Sequence, residues 1–490
     1  MSRPPRTVPG FLAWRASLDP DHVAIEVRGG TKLTLADWHE RANAAAHGLR
    51  ERGVRRGDRV ALVFGPASWP EFAVAYCAVQ RAGAVAMPLT ARLSEAQIAY
   101  ALTHSGATAL LHDGTPPNVT GVWTATPADV ATQTRLPLTE PMPDSPAQIL
   151  YTSGTTGRPK GVTATHANLT IGAPWHPKRL RLGHSNRFAH AFEIGTNAAQ
   201  TMLLNALYTK AGSLTLARAT PARFARLIAD TEVGTVFLVP ALAVELLGAL
   251  GETPLDHVHL VGSTAAPLPP VVARRLASMF PNAAVVNYYT STEAAPAQTE
   301  MIFDPGRPDA IGQPTPGTLM IADGAGKPLR QGATGEVWLH SSHPREYFRD
   351  PVATGDTFQG EWVRMGDLGR LDADGYLYLV DRCEDVVKTG AFKVSTVEVE
   401  AALFEHPQVA DAAVVGVPHP VLGHVLAAVV VPAGSEPSLP ELRRFLSTRL
   451  ADYQLPARLV LRDQLPRNAG GKVHKRQLAA GLAGPPEGAA

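Results

Sequence analysis

The chain has 490 residues, 45% hydrophobic and 18% charged, which is enough to bury several cores rather than one. Its 45 Lys and Arg against 44 Asp and Glu leave a formal charge of +1, which argues against a dedicated nucleic-acid binder. The two cysteines, Cys77 and Cys383, cannot build a disulfide framework or a four-thiolate zinc site and fit a reducing, cytoplasmic setting.

In chain order, the opening residues carry arginines but no apolar stretch behind them of the kind a signal peptide needs. Between residues 31 and 112, helical and strand patterns alternate. Thr34 to Arg52 sets Leu35, Trp38, Ala42, Ala45 and Leu49 on one helical face and stops at Gly53. Val60 to Phe64 reads as a strand, Phe72 to Ala82 as a buried helix and Ala84 to Leu89 as a second strand. The same pattern returns in strands at Gly234 to Pro240, His257 to Gly262 and Ala284 to Tyr289. Helices at Leu242 to Leu250 and Val271 to Phe280 separate them. Such alternation predicts helices packed on largely parallel sheets.

From about Gly335 the texture changes to short strands and Gly-Asp turns, the mark of a small β-barrel-like region. After Arg382 an α+β segment follows, with helices at Val397 to Phe404 and Leu439 to Leu450 and strands at Ala412 to Val417 and Val425 to Val431. The most apolar region, Val409 to Val430, is broken by Asp411, Pro418, His419, Pro420 and His424, so no membrane span is expected. The fold class is therefore α/β. A large N-terminal domain (1–381) of helix-covered mixed and parallel sheets plus the barrel-like region leads through a hinge (382–384). A smaller, mobile α+β domain (385–480) and a disordered tail (481–490) complete the chain.

The sharpest chemical signal is Tyr151 to Val162, YTSGTTGRPKGV. An apolar strand runs into a loop where glycines let backbone N–H groups turn toward an anion, hydroxyls add donors and Lys160 adds charge, as in a polyphosphate cradle. It does not fit the G-x-x-x-x-G-K-[ST] pattern, because Pro159 stands five residues after Gly154.

This segment resembles the phosphate loop of the adenylate-forming superfamily of acyl-CoA synthetases, adenylation domains and luciferases. Four further stretches resemble its motifs in the right order: Tyr289 to Glu293 (YTSTE), Trp362 to Leu368 (WVRMGDL), Gly375 to Arg382 (GYLYLVDR) and Pro466 to Val473 (PRNAGGKV). The resemblance implies that Thr152, Ser153, Gly154, Thr155, Thr156, Gly157 and Lys160 hold the phosphates of ATP. It implies that Tyr289 stacks on adenine, with Asn287, Tyr288, Thr290 and the Ala265, Ala266 and Pro267 backbone around it. Thr292 would bind the α-phosphate and Glu293 the Mg²⁺. Asp367 and Arg382 would meet the ribose hydroxyls, and Lys472 would reach the acyl carboxylate. The acid would lie near Glu193, Gly195, Thr264, Tyr288 and Thr290, and Glu384 would be the pivot of the C-terminal domain.

Four departures from the family pattern bear on substrate and acceptor. Glu193 stands where relatives have a histidine near the acyl pocket, and its charge would repel an acid unless it is protonated or paired. The other reading of that stretch gives the role to His190. Tyr288 and Thr290 replace glycines, which implies a small or single-ring acid. Ala391 replaces a glycine of the pantetheine passage, with Gly390 beside it, and Met365 replaces a Thr or Ser. The leading expectation is an ATP-dependent ligase that adenylates a carboxylic acid and transfers the acyl group to CoA. A second expectation keeps adenylation but passes the acyl group to a carrier-protein thiol, an amine or nitrite. A third is a nucleotide-binding protein without turnover. Neither a nucleic-acid nor a membrane partner is expected.

Overall fold

The computed structural model describes residues 5–134, 138–152, 159–174, 180–382, 385–389 and 392–482. Two large mixed sheets form the body. A seven-stranded sheet runs in the order Glu346–Tyr347, Lys160–Thr165, Pro146–Thr152, Val85–Thr90, Arg59–Phe64, Ala109–His112, Trp123–Ala125. Its last five strands are parallel and the first two antiparallel. The second sheet has eight strands, with six parallel ones in the middle and antiparallel edges at Thr299–Ile302 and Lys32–Thr34. Strands buried on both faces cannot alternate polar and apolar residues, so RVALVF and VAMPLT read as near-continuous apolar runs and are buried almost throughout.

One core spans both sheets. It joins Ile25 and Val27 of the eight-stranded sheet to Val60, Leu62 and Leu111 of the seven-stranded one through Phe11, Trp38, Trp69, Phe72, Tyr76 and Leu207 on the helices between them. Full burial of each such side chain contributes roughly 1.5–3 kcal/mol. The helix predicted over 34–52 is Leu35–Glu51, capped by the Thr34 hydroxyl, which accepts from Asp37 N–H at 3.1 Å. The helix expected from Phe72 begins at Trp69, because Pro70 near its start needs no N–H partner. The outer face of the eight-stranded sheet is covered by Pro221–Asp230, Pro240–Ala249 and Pro270–Met279.

The barrel-like region is a five-stranded antiparallel sheet comprising Leu319–Ala322, Gly335–His340, Phe358–Gln359, Trp362–Leu371 and Leu377–Arg382. The chain then changes sheets. Val387–Thr389, Phe392–Val394, Val409–His419, Gly423–Pro432 and Arg458–Leu461 build the small C-terminal sheet, packed by helices Thr396–Phe404 and Leu439–Leu446. The second helix stops four residues earlier than its pattern predicts, where Ser447 and Thr448 turn their hydroxyls back onto the Arg444 and Phe445 carbonyls.

The expected tail needs a correction at its start. Gly481 and Leu482 form the end of a helix, Lys475–Leu482, because Leu478 and Leu482 bury themselves against Val415, Ala427 and Val429. Among the described residues no helix is long and apolar enough to cross a membrane. The expected loop residues Ser153, Gly154, Thr155, Thr156 and Gly157, together with Cys383, Glu384, Gly390, Ala391 and 483–490, lie outside the described residues, as does the Arg382 side chain.

Candidate active site

The strand that enters the predicted phosphate loop and the strand that leaves it are antiparallel neighbours, with Thr152 opposite Lys160. The short strand Glu346–Tyr347 adds to the outer edge of this pair, with Tyr347 opposite Val162. Lys160 Nζ lies 4.8 Å above the Tyr347 ring centroid, and the Tyr347 hydroxyl donates to Glu293 Oε1 at 3.0 Å. Burial and then the Glu293 charge push the Tyr347 phenol above its ordinary range, so it remains a donor. A cation, a phenol and a carboxylate from three distant segments thus meet beside the expected phosphate loop.

Thr292 and Glu293 sit in the turn that follows strand Ala284–Tyr289. That turn is closed from within. The Thr290 hydroxyl donates to the Ala297 carbonyl at 2.7 Å, and Ala294 N–H donates to Ser291 Oγ at 3.1 Å. Met365, the departure from Thr or Ser, packs under the turn and its sulfur receives the Ser291 hydroxyl at 3.7 Å. From outside, Arg345 holds the same turn by donating to the Thr292 carbonyl at 2.8 Å.

Tyr289 is buried among Ala294, Ile311, Met365 and Leu377, at the seam between the eight-stranded and five-stranded sheets. Its hydroxyl donates to Asp367 Oδ2 at 2.6 Å, the short geometry of a charge-assisted bond. Asp367 pairs across the sheet with Arg382. Asn287 Nδ2 donates to the Ile311 carbonyl at 3.3 Å, while its buried Oδ1 finds no partner among the described residues. An orphaned buried acceptor calls for a donor from elsewhere, as an adenine amino group would provide. Ala265, at the end of the neighbouring strand Leu260–Ser263, has a left-handed φ of +76° in an exposed bend with Ala266 and Pro267.

On the acyl side, Tyr288 faces Phe237 at 6.4 Å between ring centroids. A Cβ on Gly262 would come within 2.6 Å of the Phe237 ring and 2.9 Å of the Tyr288 ring. These two rings fill the space between the strands at the expected acyl position, and Thr264 follows at the end of Leu260–Ser263. Thr290, expected to narrow this cavity, instead turns its hydroxyl into its own turn.

Glu193 is paired. The Thr90 hydroxyl donates to Oε1, and Arg92 Nε stands 3.2 Å from Oε2. Gly195 explains the proximity: at φ +94° it lies so close to strand Val85–Thr90 that a Cβ would sit 2.5 Å from Thr90 N. His190 is a core residue. Its Nδ1 accepts from Phe192 N–H at 3.3 Å, leaving Nε2 to donate to Ser213 Oγ at 3.0 Å, and its ring lies against Trp69. Burial lowers its pKa to about 3.

Lys472 lies between strand Arg458–Leu461 and helix Lys475–Leu482 of the C-terminal unit. It lies at the turn of a hairpin where Asn468 N–H meets the Lys472 carbonyl at 2.9 Å and Asn468 Oδ1 accepts Lys472 N–H at 2.9 Å. Arg467 anchors the hairpin to Asp411 at 2.6 Å. A Cβ on Gly471 would fall 3.0 Å from Val239 Cγ2, so the turn rests on the residue that precedes helix Pro240–Ala249.

Five residues escaped the sequence reading: Thr90, Arg92, Phe237, Arg345 and Tyr347. The one signal available for the last two was their period-two spacing around Glu346, which puts both on one face of an extended segment. Among the described residues no group of three or more His, Cys, Asp or Glu could hold a metal, so Glu293 would contribute a single carboxylate.

Comparison with known proteins shows the family of the chain. Residues 12–344 match the AMP-binding enzyme family and residues 398–472 match the AMP-binding enzyme C-terminal domain. The chain belongs to the AMP-binding enzyme family. This AMP-binding enzyme is 33% identical to a feruloyl-CoA synthase from an Amycolatopsis species, over 96% of this chain and 98% of the relative. It is 32% identical to the fatty acid–[acyl-carrier-protein] ligase ScoC of Streptomyces coeruleorubidus, over 96% of each. Among solved structures, ATP-bound MatB from Rhodopseudomonas palustris superposes with a TM-score of 0.86 at 28% identity, covering 97% of this chain and 99% of MatB.

Proposed function

We propose that this AMP-binding enzyme activates a small or single-ring carboxylic acid with ATP and passes the acyl group to the thiol of CoA. A carboxylate oxygen bonds to the α-phosphorus while the bond to the β-phosphate oxygen breaks, releasing pyrophosphate. The CoA sulfur then bonds to the acyl carbon and AMP leaves. The observation that carries this reading is the meeting of Lys160, Tyr347 and Glu293 beside the 151–162 segment. Two anions must approach one another in the first step, and preorganised cations and donors offset their repulsion.

In this reading Thr152 to Gly157 and Lys160 hold the β- and γ-phosphates, and Thr292 meets the α-phosphate. Glu293 supplies the one carboxylate that Mg²⁺ commonly takes beside nucleotide phosphates. Tyr289, Asn287 and the Ala265 to Pro267 backbone hold adenine, and Asp367 and Arg382 hold the ribose. Lys472 spans the acyl carboxylate and the α-phosphate. Tyr288 and Phe237 shorten the acyl cavity, bordered by Gly195, Thr264 and Thr290. Pairing with Arg92 and Thr90 spares the acid the Glu193 charge. Residues 1–381 act as the binding domain, with 382–384 as a hinge about Glu384 and 385–480 as the moving unit. The cysteine usage supports a cytoplasmic setting.

Acid-dependent exchange of labelled pyrophosphate into ATP tests adenylation, and its absence across a broad panel of acids would reject the reading. A long-chain acid turned over faster than every short or single-ring acid would reject the acid's size. Lys472→Ala is expected to reduce exchange strongly with ATP affinity nearly intact, because the charge it meets develops during the reaction. A second reading places the acyl group on a carrier protein. Ala391 supports it, as does the similarity to an acyl-carrier-protein ligase. AMP release that does not depend on CoA would favour it.

A further inference from the structure

Arg345 is 4% exposed, and among the described residues no carboxylate lies within ion-pair distance of it. Every acceptor it reaches is neutral. Nε donates to Asn168 Oδ1 at 3.1 Å. One terminal nitrogen donates to Asn197 Oδ1 at 3.3 Å and to the Thr292 carbonyl at 2.8 Å, and the other donates to Gln200 Oε1 at 3.4 Å. Burial pulls its pKa down to about 10, against the nearby charge of Glu293, so it stays protonated at neutral pH.

A buried guanidinium without a paired anion costs several kcal/mol, and a neutral or apolar side chain of similar size would fill the space at lower cost. The charge therefore needs a reason other than packing. The carbonyl it holds belongs to the peptide bond joining Thr292 to Glu293. The same short extended segment sends Tyr347 to the Glu293 carboxylate, and residues 345 and 347 share a face by the strand period. Asn168, which receives Arg345 Nε, in turn donates to the Ala295 carbonyl at 3.1 Å on the far side of the same turn. Backbone is thus gripped at 292 and 295, and side chain at 293.

We propose that Arg345 is a positioning residue for adenylation: by clamping the Thr292 carbonyl it fixes the Thr292–Glu293 turn against the nucleotide phosphates while touching neither substrate nor phosphate itself. The inference rests on the reading that Thr292 and Glu293 act on ATP. It concerns residues just beyond the segment matched by the family, which ends at Pro344.

The test compares wild type, Arg345→Gln and Arg345→Lys in acid-dependent ATP–pyrophosphate exchange. Rates are scaled to the folded fraction given by near-ultraviolet circular dichroism at the assay temperature. Misplacing a reacting group by about 1 Å costs up to about 100-fold, so Arg345→Gln should lower kcat about 10- to 100-fold. The KM for ATP should stay within about twofold, since loop placement acts on the transition state rather than on binding. Arg345→Lys, which keeps the cation but loses the fork, should recover part of kcat. A folded Arg345→Gln with wild-type kcat would overturn the proposal. So would equal changes in kcat and KM, or failure of both variants to fold, which would assign the residue to structure alone. Absence of exchange in the wild type would instead reject the function reading on which the proposal stands.

Discussion

Removing one oxygen, in Tyr289→Phe, separates two roles that the site combines in a single side chain. The ring stays among Ala294, Ile311, Met365 and Leu377, so stacking and core packing are retained. What disappears is the 2.6 Å bond to Asp367 Oδ2. A hydrogen bond to a charged group contributes about 1.5–3 kcal/mol. Asp367 is 7% exposed but makes other interactions, which places the loss toward the lower end. At about 1.4 kcal/mol per decade, the KM for ATP should rise about tenfold as the carboxylate proposed to hold the ribose loses its fixed orientation. The proposed ribose contact would be made equally before and during the reaction, so kcat should stay within about twofold. Initial rates of pyrophosphate exchange at saturating acid, with ATP varied, measure both. An unchanged KM, or a fall in kcat alone, would refute the argument that this phenol orients a nucleotide-binding carboxylate.

Gly195→Ala should destabilise by about 2–5 kcal/mol, from a left-handed side chain (about 1–2) plus overpacking against strand backbone (about 1–3). A denaturation midpoint equal to wild type would contradict the close approach to Thr90. Ala265→Gly should gain up to about 1.5 kcal/mol, because relief of the left-handed alanine (about 1–2) offsets or exceeds the added chain entropy (about 0.5–1). A lower urea midpoint for that variant would show the bend unstrained. His166 and His190 are buried neutral with pKa values of about 3, against 6.5 when unfolded. The unfolded chain therefore binds more protons below pH 6.5, and stability falls as pH drops. The loss by pH 5.5 is about 1.4 kcal/mol per histidine, about 3 in total. Urea midpoints at pH 7.5 and 5.5 measure it; a loss of half that size would mean that one ring takes up protons in the folded chain, and equal midpoints that both do.

Local order in the chain determined much of this protein. The apolar period from Leu35 to Leu49, with Thr34 as cap, defines a helix without reference to any other segment. Ala284 to Tyr289 is found as the strand its composition predicts. The ordered motifs marked Lys160 and Glu293, which meet through Tyr347, and Tyr289 and Asp367, which bond to each other, because glycine, hydroxyl and charge patterns are written in short windows. Only the tertiary structure decided which partners those residues meet. Glu193 meets the Thr90 hydroxyl and the Arg92 guanidinium, about a hundred positions earlier. Thr290 closes its own turn rather than narrowing the acyl cavity. Arg345 and Tyr347 grip a turn some fifty residues upstream. A side chain's type is local, but its electrostatic partner is set by strand order and by how two sheets share one core. No window of sequence contains both.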